Sequence, residues 1–249
     1  MTPTPFASLT RRRLCAAGAA MLLPSVRAQD AQVPPYERVP RSPDGIGKAF
    51  MGREIAGVMG VQGSDWLERE EREREERTDL LLRELALAPG MQVADVGAGT
   101  GYHARRMARL VAPGGTVHAV DVQPRMLRQL QERARREGLD NVRPVLGTAN
   151  DTRLAPASID LALLVDVYHE LEYPVEAMDS VVRGLRPGGR AVLVEYRAED
   201  PKVPIKPLHR MSQAQVLREM AVHPVAHERT SNVLPWQHIL VFRRRDGGS

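Results

Sequence analysis

Val93-Ala-Asp-Val-Gly-Ala-Gly-Thr-Gly-Tyr102 is the stretch from which the rest of the chain is read. It opens as a short apolar run of strand type and passes through glycines at alternate positions, Gly97, Gly99 and Gly101. It then enters His103 to Val111, whose pattern predicts a helix. Glycine is needed where a backbone turns sharply with positive φ and lets a ligand approach closer than a Cβ permits. The helix behind such a turn offers unpaired N–H groups and the positive end of its dipole. Strand, glycine turn and helix in this order predict a site that holds a nucleotide-like ligand by its backbone.

Spacing separates the ligand classes that use this geometry. A phosphate-gripping P-loop carries Lys-Ser/Thr after its last glycine, but Tyr102-His103 follows here. A dinucleotide fingerprint needs its third glycine at position 102, which is Tyr. What remains is Asp95 inside the first strand, the Gly-x-Gly-x-Gly turn, and Asp121 at the end of the next strand, Thr116 to Asp121. An acid at that place accepts both hydroxyls of a ribose. With no anion-gripping side chain nearby, the expected ligand is a nucleoside without a pyrophosphate.

Asp95-Val-Gly-Ala-Gly-Thr-Gly101 with Asp121 resembles motifs I and II of the class I S-adenosylmethionine-dependent methyltransferases. The resemblance extends from Leu80 to Arg244. Gly147-Thr-Ala-Asn-Asp151 falls where that family ends its third strand with a polar residue beside the adenine; Ser158 to His169 resembles its fourth strand and Leu185 to Glu195 its fifth. The fourth-strand segment is similar to the broad type 11, ubiquinone/sterol-like group. The resemblance implies an α/β fold of three layers, Rossmann-like, with a mostly parallel seven-stranded sheet whose last strand is antiparallel. It implies S-adenosylmethionine as cofactor, held by Asp95, Gly97, Ala98, Gly99, Gly101, Tyr102, Asp121, Val122, Asn150, Asp151 and Asp166. The implied reaction is methyl transfer to a small-molecule acceptor. Two alternatives stay open: a protein methyltransferase of the isoaspartyl kind, because Gly138-Leu-Asp-Asn-Val142 is similar to that group, and a non-catalytic exported protein that binds the same cofactor.

A sulfonium is already an activated methyl donor, so holding the nucleophile in line supplies much of the rate, roughly 7–11 kcal/mol. No metal is required. If the acceptor carries a proton, candidates for its removal lie beyond the fourth strand, at Asp166, Tyr168, His169 and Glu170, where ligands of open α/β sheets bind. His169 is the best base by its ordinary pKa; the competing assignment is a helix-start histidine bonded to backbone. Glu195 and Tyr196 either face the acceptor or cap the sheet. His223 and His227 stand four apart, but Pro224 disfavours a helix there, and no metal site is expected.

The chain of 249 residues, 43% apolar, suffices for one domain with a sizeable core. No segment approaches the roughly 20 uninterrupted apolar residues of a membrane span. The formal charge of +4 is carried by Arg11, Arg12, Arg13 and Arg27, so the remainder is neutral and unsuited to binding nucleic acid by phosphate neutralisation. Residues 1–28 are expected to be an export segment. A basic Thr10-Arg-Arg-Arg13 resembling the twin-arginine signal precedes the weakly hydrophobic Leu14 to Leu23, and Pro24 to Ala28 offers a cleavage site. The expected location is the periplasm, or the cytoplasm if the start codon is mis-assigned. The sole cysteine, Cys15, lies in that segment.

Residues 29–64 are expected to form an N-terminal extension, a partial lid or a packing strap, with a helix-like piece from Lys48 to Met59. The resemblance implies that residues 65–245 are the methyltransferase domain. Its first helix is expected to start at Asp65 with Glu68 at the third position. It then exposes a Glu/Arg face with pairs Glu68/Arg72, Glu70/Arg74 and Glu73/Arg77. Beyond it, strand and helix alternate to a final pair of strands around Val222 to Glu228 and Gln237 to Arg243.

Overall fold

The computed structural model describes residues 1–2 and 35–245. All of the expected export segment beyond Thr2, including Cys15, lies outside the described residues, as do the first residues of the extension.

The described chain begins with a three-stranded antiparallel sheet of β1 (Glu37–Arg38), β2 (Gly45–Phe50) and β3 (Arg53–Ala56). The helix expected over Lys48 to Met59 is therefore a hairpin. Met51 (φ 48°) and Gly52 (φ 83°) form its two-residue turn, both with positive φ, the turn whose twist matches paired strands. Phe50, Ile55 and Ala56 are buried beneath it.

The single helix expected from Asp65 is three short ones: α1 (Ser64–Leu67), α2 (Arg72–Glu76) and α3 (Thr78–Leu85). Arg77 breaks the path with φ 51°, and Gly63, not Asp65, precedes the first helical residue. The Glu/Arg face is only partly solvated. Arg72 and Glu76 are buried and paired with each other at 2.8 Å, and Glu68 pairs with Arg105 at 2.7 Å in place of Arg72. A guanidinium drawn inward to satisfy buried acceptors outweighs the few tenths of a kcal/mol that surface pairs offer a continuous helix.

Thereafter the chain alternates as expected: β4 (Gln92–Val96), α4 (Tyr102–Val111), β5 (Thr116–Asp121), α5 (Pro124–Arg136), β6 (Val142–Leu146), β7 (Ile159–Val165), α6 (Pro174–Gly184), β8 (Leu185–Tyr196), α7 (Gln213–Met220), β9 (Val225–Ser231) and β10 (Gln237–Arg244). Local chemistry sets several ends. Pro124 and Pro174 open their helices, where a missing N–H costs nothing. The Ser212 hydroxyl accepts from the Gln215 amide at the start of α7.

The large sheet has the order β6-β5-β4-β7-β8-β10-β9, with β10 antiparallel to both neighbours and the other pairs parallel. Successive strand residues face opposite layers. Val93, Leu161 and Leu163 pack with Met107, Val111 and Leu130 of α4 and α5, whereas Ala94, Ala162 and Leu164 pack with Met178, Val181 and Val216 of α6 and α7. Covering both faces explains why these strands are apolar throughout. The strand order reverses between β4 and β7, and that reversal opens a crevice at their carboxyl ends.

The small sheet is fixed to this edge by Arg53. Its guanidinium donates twice to Glu219 of α7 (2.8 and 2.9 Å) and once to the His169 carbonyl (3.0 Å), and the Glu219 side chain has no exposed surface. Removing one partner of a buried pair strands the other charge, at a cost of about 3–5 kcal/mol. Arg53→Ala is expected to lower unfolding free energy by that order in urea denaturation. Adding Glu219→Gln to it should restore part of the loss, because the uncompensated carboxylate is then gone.

Candidate active site

The glycine turn is built as its sequence requires. Gly97 (φ 73°) and Gly101 (φ 83°) have left-handed backbones, and a Cβ on either would meet another side chain: Val167 Cγ2 at 2.4 Å from Gly97, Leu130 Cγ at 2.6 Å from Gly101. Asp121 fastens the turn from the next strand. Its Oδ2 accepts from the Gly99 amide and its Oδ1 from the Gln123 amide, both at 2.8 Å. Burial pushes the Asp121 carboxyl up, and those backbone donors oppose the push.

Above the turn lies a cavity of about 940 Å³, near the upper end of the range for small-ligand sites. Its inner wall is Val96, Gly97, Gly99 and Asp121, with Val122 and Met126 beside them. Asp166 and Val167 continue the wall from the end of β7. The roof comes from the extension, at Arg41, Gly45 and Gly57 to Gly60, and Trp66 and Leu67 close one side. Roof and wall touch directly. The Met59 amide donates to Glu170 Oε2 (3.3 Å), and the Gln123 amide group donates to the Met59 carbonyl (2.9 Å).

Below the turn sits a buried cation. Arg72 donates to Glu76 Oε2 and to the Leu67 carbonyl at 2.8 Å each, and approaches His103 Nε2 at 3.2 Å. Burial first, and then this guanidinium, hold His103 well below its usual range. Asp95 and Asp166 lie near the same charge. Burial raises Asp95 to about 7, and burial with repulsion from Glu76 and Glu195 raises Asp166 well above the carboxylate range. Asp95 Oδ2 and Asp166 Oδ1 are buried without a hydrogen-bond partner. Of the two, Asp166 lines the cleft, and its orphaned acceptor fits a ligand that brings donors and positive charge.

Beyond β7 the backbone passes through Asp166 (φ 53°) into a 3-10 turn at Tyr168–Glu170. His169 is 1% exposed. Its Nδ1 lies 2.6 Å from Glu195 Oε2, and its Nε2 lies 3.1 Å from His209 Nδ1. Glu195 also accepts the Tyr168 amide on Oε1, so both its oxygens act as acceptors and His169 Nδ1 carries the proton between them. His169 Nε2 therefore faces His209, and His169, Glu170 and His209 all line the cavity.

The expected residues divide accordingly. Gly97, Gly99, Asp121, Val122, Asp166 and His169 line the cavity. Asp95, Ala98 and Tyr102 do not; they border a small void of about 40 Å³ behind the turn, and the Tyr102 hydroxyl is spent on Glu73 at 2.7 Å. Asn150 and Asp151 are also off the main wall, because they shape their own turn. Thr148 donates to Asn150 and Asp151 accepts from the Arg153 amide, which leaves Thr148, Ala149 and Thr152 facing the cavity. Tyr168 points into the core, fully buried and away from the cavity, with its phenol pushed up by burial. Arg72 and His209 were not anticipated, whereas cover from the extension was one of the two readings of residues 29–64; His209 comes from a loop with no periodicity to mark it.

Comparison with known proteins agrees with this geometry. Residues 93–189 match a family described as a methyltransferase domain. A demethylmenaquinone methyltransferase of Tropheryma whipplei is 31% identical over 160 residues, 62% of this chain and 64% of that protein. An arsenite methyltransferase of Halobacterium salinarum is 32% identical over 43% of this chain and 28% of its own length. A protein-L-isoaspartate O-methyltransferase of Methanothrix thermoacetophila is 33% identical over 44% of this chain and 49% of its own length. The chain thus spans less than two thirds of each of these relatives. A SAM-dependent methyltransferase structure from Aquifex aeolicus superposes with TM-score 0.71 at 22% identity, over 75% of this chain and all of that one.

The buried acids give the site a signature in stability. Asp95 keeps its proton up to about pH 7 in the fold, against 3.8 ordinarily, so the folded protein binds more protons than the unfolded chain in that window. Stability present below about pH 4 is therefore lost as pH rises towards 7. Asp95→Asn should remove this share. In urea unfolding without added ligand, the variant is expected to gain on the parent between pH 4 and pH 7 by up to about 4 kcal/mol.

Proposed function

We propose that the chain, whose residues 93–189 match a methyltransferase-domain family, is a class I S-adenosylmethionine-dependent methyltransferase that transfers the methyl group of that cofactor to a small molecule held under the roof. The observation that carries the reading is the single cavity of about 940 Å³ that joins Gly97, Gly99 and Asp121 at one end to His169 and His209 at the other. Asp121 supplies a charge-assisted acceptor for the ribose hydroxyls, Val122 and Met126 an apolar surface for the adenine, and Asp166 an orphaned acceptor for the cationic part of the cofactor. S-adenosylmethionine supplies the activated methyl group.

At the other end, His169 is oriented by Glu195 and presents Nε2 to the acceptor's proton. The roof favours a small acceptor over a polypeptide, because a folded protein would have to displace Gly57 to Gly60 to reach this wall. An isoaspartyl-type activity is the second reading, supported by the relative that carries that name.

Isothermal titration with S-adenosylmethionine and its demethylated product tests the cofactor end. Binding is expected for both, weakened by about 1.5–3 kcal/mol in Asp121→Ala through loss of charge-assisted hydrogen bonds; no heat and no thermal shift at millimolar ligand would reject the reading. A screen of envelope extracts with labelled donor identifies the acceptor. On it, His169→Ala is expected to lower turnover by roughly 10²–10⁴-fold with cofactor affinity nearly unchanged.

A further inference from the structure

The three side chains at the acceptor end are arranged in a way that a single base does not require. His169 Nε2 and His209 Nδ1 are 3.1 Å apart, His209 Nδ1 and Glu170 Oε1 3.4 Å, and His169 Nε2 and Glu170 Oε1 3.8 Å. Ligand atoms about 2.0–2.2 Å from a tetrahedral ion stand about 3.3–3.6 Å from one another, and the triangle brackets that face. Two of the three side chains are also turned by a neighbour so that the atom in the triangle is left to it. Glu195, wholly buried, takes His169 Nδ1–H. The Met59 amide takes Glu170 Oε2 and leaves Oε1 free of it. A carboxylate behind a histidine is the support that metal-binding imidazoles use to fix tautomer and ring orientation.

The geometry points to a binding site for one first-row divalent cation of the zinc class, held by His169 Nε2, His209 Nδ1 and Glu170 Oε1, with its remaining positions open to the cavity. Two imidazoles and one carboxylate suit zinc and its neighbours in the row, not calcium or magnesium, which prefer oxygen-only shells. The three residues come from the turn after β7 and from a second 3-10 turn at Pro207–His209, so they are distant in sequence and meet only in the fold.

This inference rests on the reading of that wall as the place where the acceptor is activated, and it narrows the acceptor to an oxygen or sulfur nucleophile. An O–H or S–H group that coordinates the ion loses its proton to solvent, because the cation stabilises the anion left behind. That anion takes the methyl group as the C–S bond of the sulfonium breaks, and the bonding pair stays on sulfur to leave the neutral thioether. His169 then serves as a ligand, and the ion takes over its part in removing the proton.

The test uses the full chain stripped with a chelator and then titrated with Zn²⁺ by calorimetry and with Co²⁺ by visible absorption. The expected result is one ion per chain and a d–d band of low-symmetry Co²⁺. Glu195→Gln, which still accepts the Tyr168 amide, should weaken Zn²⁺ by about 10–100-fold, and His209→Ala and Glu170→Gln by at least as much. S-adenosylmethionine binding, measured on the same samples, shows that each variant is folded and separates the two readings. Retained cofactor binding with no Zn²⁺ binding by the parent, or with Zn²⁺ affinity unchanged in His209→Ala and Glu170→Gln, overturns the metal site and leaves His169 as the base.

Discussion

The fold depends on the absence of three Cβ atoms. Gly97, Gly99 and Gly101 leave a groove along the turn between β4 and α4, and a different part of the chain presses into each gap: Val167 from beyond β7, Leu67 from α1 and Leu130 from α5. The turn is thus the meeting point of the sheet's two halves and of the N-terminal helices. A side chain at any of the three would have to move a packed neighbour, and close-packed interiors yield little. The same close approach brings the Gly99 amide onto Asp121 and sets the height of the cavity floor.

Charge is organised around that floor in a second tier. Arg72 is a cation with almost no contact with water, paired with Glu76 and placed where it favours the charged forms of Asp95 and Asp166 against their burial. One guanidinium cannot satisfy all of them, and two carboxylate oxygens stay orphaned. The domain therefore holds an unbalanced set of acceptors, of which the Asp166 oxygen is the one that a ligand in the cleft can reach. This is an instance of stability given up locally in favour of binding.

Much of this was legible in the sequence because it is local. The β4 strand, the turn and Asp121 follow from short-range rules, and so do the apolar strands and the helices opened by Pro124 and Pro174. What was not legible is non-local. The spacing of Ile46, Phe50, Met51 and Ile55 suits one face of a helix as well as a strand pair, and only the left-handed turn at Met51-Gly52 decides between them. The Glu/Arg run gave the periodicity of a solvated helix, but Arg72 is claimed by acceptors on other elements, Leu67 and His103 among them. His209 reaches His169 across 40 residues by way of an irregular loop, and no spacing rule carries that contact. Asn150 and Asp151 are the right kind of residue in the right region, but their side chains are consumed by the turn they make.

The roof is fastened unequally. At one end Arg53 is locked to Glu219 and to the His169 carbonyl by buried charged contacts, while at the other the segment around Met59 hangs on two single hydrogen bonds, to Glu170 and from Gln123. Local opening follows the weakest attachments. The Met59 end of the cover is therefore the end expected to open first, and the Arg53 end the one expected to stay in place. That end also carries the one amide contact from the cover to Glu170, so opening there would free Glu170 Oε2 from the Met59 amide.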